Sequence, residues 1–273
     1  MTDRVDLGRD VLDYYGLGGE RARLATGAGR LELARTTEIL ERWLPPAAVV
    51  ADVGGGDGRY ADWLVSRGHR VELVEPVPLH VELARSRAGV PPRFGVHEGD
   101  ARAVPLDDGS VDAVLLLGPL YHLGERRDRL LALREAVRIC RPGGLVVAAA
   151  ISRFAPLLDA VRRGNVDDEQ LLANVLAEIA TGRRVARERR TSPFPDAYFH
   201  FPDELEAELS EAGLRVERLL GVQGPGWLVD ERDDAWMDDR RIERLARIAR
   251  ELEDESRAAV LSAHLLALGR APG

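Results

Sequence analysis

Asp52-Val53-Gly54-Gly55-Gly56-Asp57-Gly58 sets a carboxylate near the end of an apolar run and follows it with a glycine-rich turn. Without Cβ atoms such a turn lets backbone N–H groups and a helix N-terminus approach a ligand that any side chain would hold off. Two further acids stand at comparable places downstream. Glu75 closes the run RVELVE, where a carboxylate accepts from both hydroxyls of a ribose. Asp100 closes RFGVHEGD, where it accepts from an exocyclic amino group while Ala101 offers a backbone N–H. A glycine turn by itself also occurs in dinucleotide-binding folds and in plain loops. Three acids at three successive strand ends are the more specific pattern, and they describe a pocket for a nucleoside.

Such a pocket needs strands that end along one edge, and the chain supplies them. LELARTTEILERWL at 31–44 places Leu31, Ala34, Ile39, Leu40 and Trp43 on one helical face, and Pro45-Pro46 ends that helix. Strand and helix signals then alternate: AAVVA, RYADWLVSRG, RVELVE, VPLHVELARSRAG and RFGVHEGD. The buried run VDAVLLLG, a helix from about Glu125 to Cys140 with Leu130, Leu133, Ala136 and Val137 inward, and a Pro142-Gly143-Gly144 turn into LVVAAAIS bring the count to five parallel strands. Helices near 154–163 and 167–181 and the aromatic loop TSPFPDAYFHFP read as an insertion over the sheet. A helix from Asp203 to Ala212, the strand LRVERLLGVQ, a helical insertion at about 231–255 and an antiparallel strand in RAAVLSAHLLALGRA complete the pattern. The Ala and Leu content of that last run suits a helix equally well.

In this combination the chain resembles the class I S-adenosylmethionine (SAM)-dependent methyltransferases. The resemblance rests on the Asp52–Gly58 loop, Glu75, the triplet Gly99-Asp100-Ala101, the run VLLLGPLYHL and the Arg141-Pro142-Gly143-Gly144 turn. It covers 30–152 closely and 200–270 more loosely. It implies an α/β fold with a Rossmann-like, seven-stranded, mostly parallel sheet, helices on both faces and helical cap insertions. One domain would span 1–273, its core about 30–152 and 202–270, its cap drawn from 1–29, 153–201 and 224–255. It further implies that SAM is the cofactor and S-adenosylhomocysteine the product. Gly54 and Gly56 would approach the methionine part, Glu75 would hold the ribose, Asp100 and Ala101 would frame the adenine, and Leu117 and Gly118 would line the methyl-donor side, with Asp52, Gly55 and Pro76 as further cofactor-binding residues. An NAD oxidoreductase is disfavoured, because Tyr60-Ala61 only approximates the last position of that fingerprint.

The end of the fourth strand, Gly118-Pro119-Leu120-Tyr121-His122, is where the resemblance brings the acceptor. Enzymes that methylate exocyclic amines hold the nitrogen with Asp or Asn before a Pro-Pro-Tyr turn, and Gly118 stands at that place here. Cytosine-carbon methylation needs a cysteine at this edge, whereas Cys140 ends a helix as a small hydrophobe. A catechol-type enzyme needs carboxylates for a metal, and this edge has none, so no metal is expected. The acids of Asp233–Asp239 read as a solvated helix start. His122 is the first candidate for a general base, with Tyr121 shaping the pocket and His200 the second candidate. Tyr14, Tyr15, Tyr198 and Trp227 are candidates to clamp an acceptor. Arg30, Glu32 and Arg35 are placed to close over the amino-acid end of the cofactor. His69, His80, His97 and His264 receive no role.

Composition narrows the partners. The 273 residues carry a formal charge of -8, with arginines scattered among acids, which disfavours a polyanion; the cap insertions argue for a small-molecule acceptor, and Gly118 with His122 favours oxygen over nitrogen. The alternatives are a tRNA or protein methyltransferase and a SAM-binding protein that transfers no methyl group. One cysteine excludes an internal disulfide. The N-terminal MTDRVDLGRDVLDYY lacks a signal-peptide core and no run reaches membrane-spanning length, so the expectation is a cytoplasmic monomer or homodimer without membrane contact.

Overall fold

The computed structural model describes residues 24–184, 195–229, 234–253 and 255–273. Helix α1 (Gly27–Trp43) leads in with Leu31, Ile39 and Leu40 fully buried, and Leu44, forced into extended backbone ahead of Pro45, ends it. β1 (Val49–Val53), α2 (Arg59–Ser66), β2 (Arg70–Glu75), α3 (Pro78–Ala88) and β3 (Gly95–Glu98) follow in the expected alternation. After β4 (Val111–Leu116) come a single helical turn, α4 (Pro119–His122), then α5 (Arg126–Ile139) and β5 (Cys140–Ser152). These five strands pair in parallel in the order β3-β2-β1-β4-β5. The chain therefore reverses its direction of winding between β1 and β4, and the loops leaving those two strands diverge into a crevice.

The second half contributes α6 (Ala155–Arg162), α7 (Glu169–Thr181), the two-residue β6 (Arg183–Arg184), β7 (Ala197–His200), α8 (Pro202–Glu211), β8 (Arg215–Gly221), α9 (Asp239–Glu251) and β9 (His264–Arg270). β9 lies antiparallel between β5 and β8. Leu265, Leu266, Ala267 and Leu268 are all buried, so both faces of the run are covered, as an interior strand requires. That resolves its helix-or-strand ambiguity. Helices α5 and α8 cover one face of the sheet, α1, α2 and α3 the other, and adjacent Leu115 and Leu116 of β4 point into the two different cores.

Two local expectations are corrected. The aromatic segment placed in the insertion is partly a strand: Phe199 and His200 pair in parallel with Ile151 and Ser152. Ile151 pairs with His264 across its other edge, so β7 takes the edge that β4 leaves at Leu116. The thirteen-residue β5 outlasts β4, and its freed N–H and C=O groups need partners. With β6 this makes nine strands among the described residues, where seven were expected. The Pro142-Gly143-Gly144 turn is a bulge inside β5, since Val111 pairs with Cys140 but Ala113 already with Leu145. Among the described residues no helix is long and apolar enough to cross a membrane.

Candidate functional site

The glycine turn is shaped by what packs around it. Gly54 sits at φ +72° and its N–H donates to the Val74 carbonyl at 2.7 Å. A Cβ there would come within 2.6 Å of Pro119 Cγ, so the turn runs hard against the first residue of α4. Gly56, at φ +58°, has open space on the side a Cβ would occupy, which is a cradle for a ligand. Beneath the turn lies Asp52, fully buried, with Oδ2 lacking a hydrogen-bond partner among the described residues. Burial, with the nearby Glu75 charge adding to it, pushes the Asp52 carboxyl up to about 7, against a backbone hydrogen bond from Ala61. A buried carboxylate with an orphaned oxygen favours a cation.

Glu75, at the end of β2, is likewise buried. Its Oε2 accepts from the Gly56 N–H at 2.9 Å and its Oε1 from the Val77 N–H at 3.0 Å, so the turn and the start of α3 fix the carboxylate in place. His80 Nδ1 stands 3.6 Å from Oε1. Asp100 and Ala101 follow β3 on the same wall. The opposite wall is the segment after β4, where Tyr121 Oη donates to the Leu117 carbonyl at 3.4 Å and stands 3.5 Å from where a Gly118 Cβ would be. The Tyr121 and His122 rings meet edge to face at 4.6 Å. Between these walls lies one cleft, partly open to solvent. It brings together Asp52, Gly54, Gly55, Gly56, Glu75, Pro76, Asp100, Ala101, Leu117, Gly118, Tyr121 and His122.

Other expected residues lie elsewhere, and each placement has a physical reason. His200 is a correction: it is fully buried, with Nε2 3.3 Å from Glu208 Oε2, and it does not line the cleft. Burial pushes its imidazole below the usual histidine range, against the favourable contact with Glu208. Glu208 is held on its far side by Arg129, whose guanidinium also donates to the Leu123 and Gly124 carbonyls at 3.0 Å each. Tyr198 is a second correction. Its ring lies 3.7 Å under the Arg129 guanidinium and its hydroxyl accepts from Arg153, so it packs this cluster and not an acceptor. Trp227 is buried against the core with its indole N–H donating to the Leu261 carbonyl, again off the cleft.

Arg35, expected over the cofactor, is fully buried and donates to Val222 O, Glu38 and Glu253, tying α1 to the end of β8 and to the chain just after α9. Arg30 reaches the Trp236 carbonyl and Asp239, and Glu32 lies beside His264. Tyr14 and Tyr15 lie outside the described residues. His80, given no role from the sequence, is buried and lines the cleft. The signal available was its position in the first turn of a helix entered directly from Glu75, which turns the side chain back toward the strand end. Among the described residues no three His, Cys, Asp or Glu side chains cluster to hold a metal ion. Asp238 accepts from the Arg240 N–H as the N-cap of α9.

The chain is similar to known proteins in sequence and in fold. Residues 51–148 match a family model described as a methyltransferase domain. An uncharacterized methyltransferase of Mycobacterium tuberculosis is 39% identical over 104 residues, 37% of this chain and 40% of that protein. The tRNA (carboxymethyluridine(34)-5-O)-methyltransferase of Macaca fascicularis is 34% identical over 101 residues, 37% of this chain and 14% of that one. The chain thus aligns with less than half the length of these curated relatives. The crystal structure of a SAM-dependent methyltransferase from Methanosarcina mazei superposes with a TM-score of 0.59 over 86% of this chain and 97% of the other, at 14% identity, a likeness of fold.

Proposed function

We propose, from the methyltransferase-domain match over residues 51–148 and the Rossmann-like fold, that the chain is a class I methyltransferase that binds SAM in the cleft and transfers the methyl group to a small-molecule acceptor, oxygen in preference to nitrogen, without a metal. The observation that carries the reading is the convergence of Asp52, Glu75 and Asp100, from the ends of three adjacent strands, on one glycine-cradled cleft. The residues fit the cofactor. The orphaned Asp52 Oδ2 suits a cationic amino-acid end, the open side of Gly56 leaves room for it, and Glu75 suits a ribose. When bound, SAM supplies an electrophilic methyl carbon on a sulfonium. The chain's own part is to align and desolvate: Gly54 packed on Pro119 holds the two walls at a set spacing, and Leu117 and Leu123 keep water from the methyl-donor side. Tyr121 orients the acceptor, and His122 takes its proton at an imidazole nitrogen.

Glu75→Ala is expected to weaken SAM and S-adenosylhomocysteine at least tenfold, roughly the worth of a charge-assisted hydrogen bond, while thermal unfolding stays cooperative. Calorimetric titration, with NAD as the control ligand, tests this; undiminished affinity in the variant would remove Glu75 from the ribose. Once an acceptor is in hand, His122→Ala is expected to lower kcat by roughly 100-fold and to abolish the acidic limb of its pH profile, with SAM affinity unchanged. An intact profile would sink the general-base role.

A tRNA acceptor is the second reading, supported by the relative named for a tRNA uridine modification. That likeness covers 37% of this chain and 14% of the relative, and the net charge of -8 opposes a polyanion, so the small molecule is preferred.

A further inference from the structure

Asp100 differs from the other two acids of the cleft in being gripped by its own neighbour. Oδ1 accepts from the Arg102 backbone N–H at 2.8 Å and from Arg102 Nε at 2.9 Å, while Oδ2 accepts from Arg102 Nη2 at 2.9 Å. The remaining arm of the guanidinium, Nη1, reaches Asp128 Oδ2 at 3.1 Å in the first turn of α5. The Arg102 side chain is 9% exposed and stands behind Asp100, which lines the cleft where Arg102 does not. A carboxylate has about four acceptor sites, and three are used here. One is left, on Oδ2. Next along the chain Ala101 also lines the cleft, and its backbone N–H is a donor beside that acceptor.

We propose that Arg102 is a specificity-determining positioning residue, holding Asp100 so that the cleft reads a 6-amino purine and rejects a 6-oxo purine. The inference rests on the reading of the cleft as a SAM site. An adenine edge offers an amino donor and a ring-nitrogen acceptor, which complement Asp100 and Ala101. A hypoxanthine edge reverses both: its oxygen faces the carboxylate and its ring N–H faces the Ala101 N–H. Rotation of the carboxylate would relieve the first clash, and the two-pronged grip of Arg102 prevents it.

The test compares S-adenosylhomocysteine with S-inosylhomocysteine by calorimetry on the full chain, as wild type, Arg102→Met and Arg102→Lys. Wild type is expected to prefer the adenosyl compound by roughly 10- to 150-fold, the range for one charged hydrogen bond. Arg102→Met is expected to lower that ratio by roughly threefold or more without abolishing it, since the mismatch at the Ala101 N–H remains, and Arg102→Lys, which keeps charge but loses the fork, to fall between. A merely structural role would weaken both ligands alike and leave the ratio standing, and that result would overturn the proposal. Equal binding of the two by wild type would overturn it as well. If wild type binds neither compound, the SAM reading itself fails and takes this inference with it. Arg102→Lys carries the test if Arg102→Met does not fold.

Discussion

The affinity for SAM is expected to rise about tenfold for each pH unit between roughly 5.5 and 7 and then to level off. Asp52 sits at about 7 because burial and the neighbouring Glu75 both oppose its charge, so the ligand-free protein holds a proton there across that window. A cation bound against the carboxylate favours the ionised form, and binding below pH 7 therefore releases up to one proton. Calorimetry at pH 5.5, 6.5 and 7.5 in two buffers of different ionisation enthalpy reads both the affinity and the proton. Asp52→Asn should flatten the profile and abolish the release; a flat profile in wild type would detach Asp52 from the cationic end of the ligand. The sign for stability runs the other way. A carboxyl raised above its unfolded value of 3.8 stabilises the ligand-free fold below that value, and the contribution is lost as pH climbs through 7. The rise in Tm on adding SAM should accordingly be larger at pH 7.5 than at 5.5.

Arg129→Met is expected to destabilise the protein by about 3–5 kcal/mol, since it removes the two-pronged guanidinium from buried Glu208, leaving His200 and the longer Arg126 contact, and strips the Leu123 and Gly124 carbonyls of a donor. For a chain of this length that corresponds to a fall in Tm on the order of 6–20 °C. Denaturant titration checks it, with Arg129→Met/Glu208→Met expected to recover most of the loss, because a well-packed apolar pair replaces a charge pair at little cost. Retention of stability in the single variant would refute the assignment. The same cluster makes acid its weak side. Burial raises the Glu208 carboxyl, but hydrogen bonds from His200 and Arg129 outweigh it and hold the group at about 2. His200 is held below its usual range by burial. Both groups are at full strength above their unfolded values and lose their contributions as pH falls.

Arg129 also shows how close stability and chemistry lie in this molecule. Its carbonyl contacts come directly after His122, so the brace that anchors α5 to α8 also ends the segment carrying the candidate base. His200 and Tyr198 belong to that brace. Their aromatic, titratable character reads in sequence as an acceptor site, yet β7 carries them to the edge of β5 vacated by β4 and into a buried ion pair.

The sequence by itself determined the half of the protein governed by short-range rules. Glycines demanded by a positive φ, a proline that ends α1, and period-two and helical apolar patterns are local facts, and parallel strands then carry acids at their C-terminal ends to a common edge. That is why Asp52, Glu75 and Asp100 are recognisable as one site before any coordinates. The tertiary structure alone decided which side chains face one another across long separations. Arg35 meets Glu253, Arg129 meets Glu208, and the aromatic run before α8 becomes a strand only because β5 outruns its neighbour. No local pattern encodes those meetings: a buried arginine and a solvated one have the same propensities, and only the packing of distant elements removes the water from one of them.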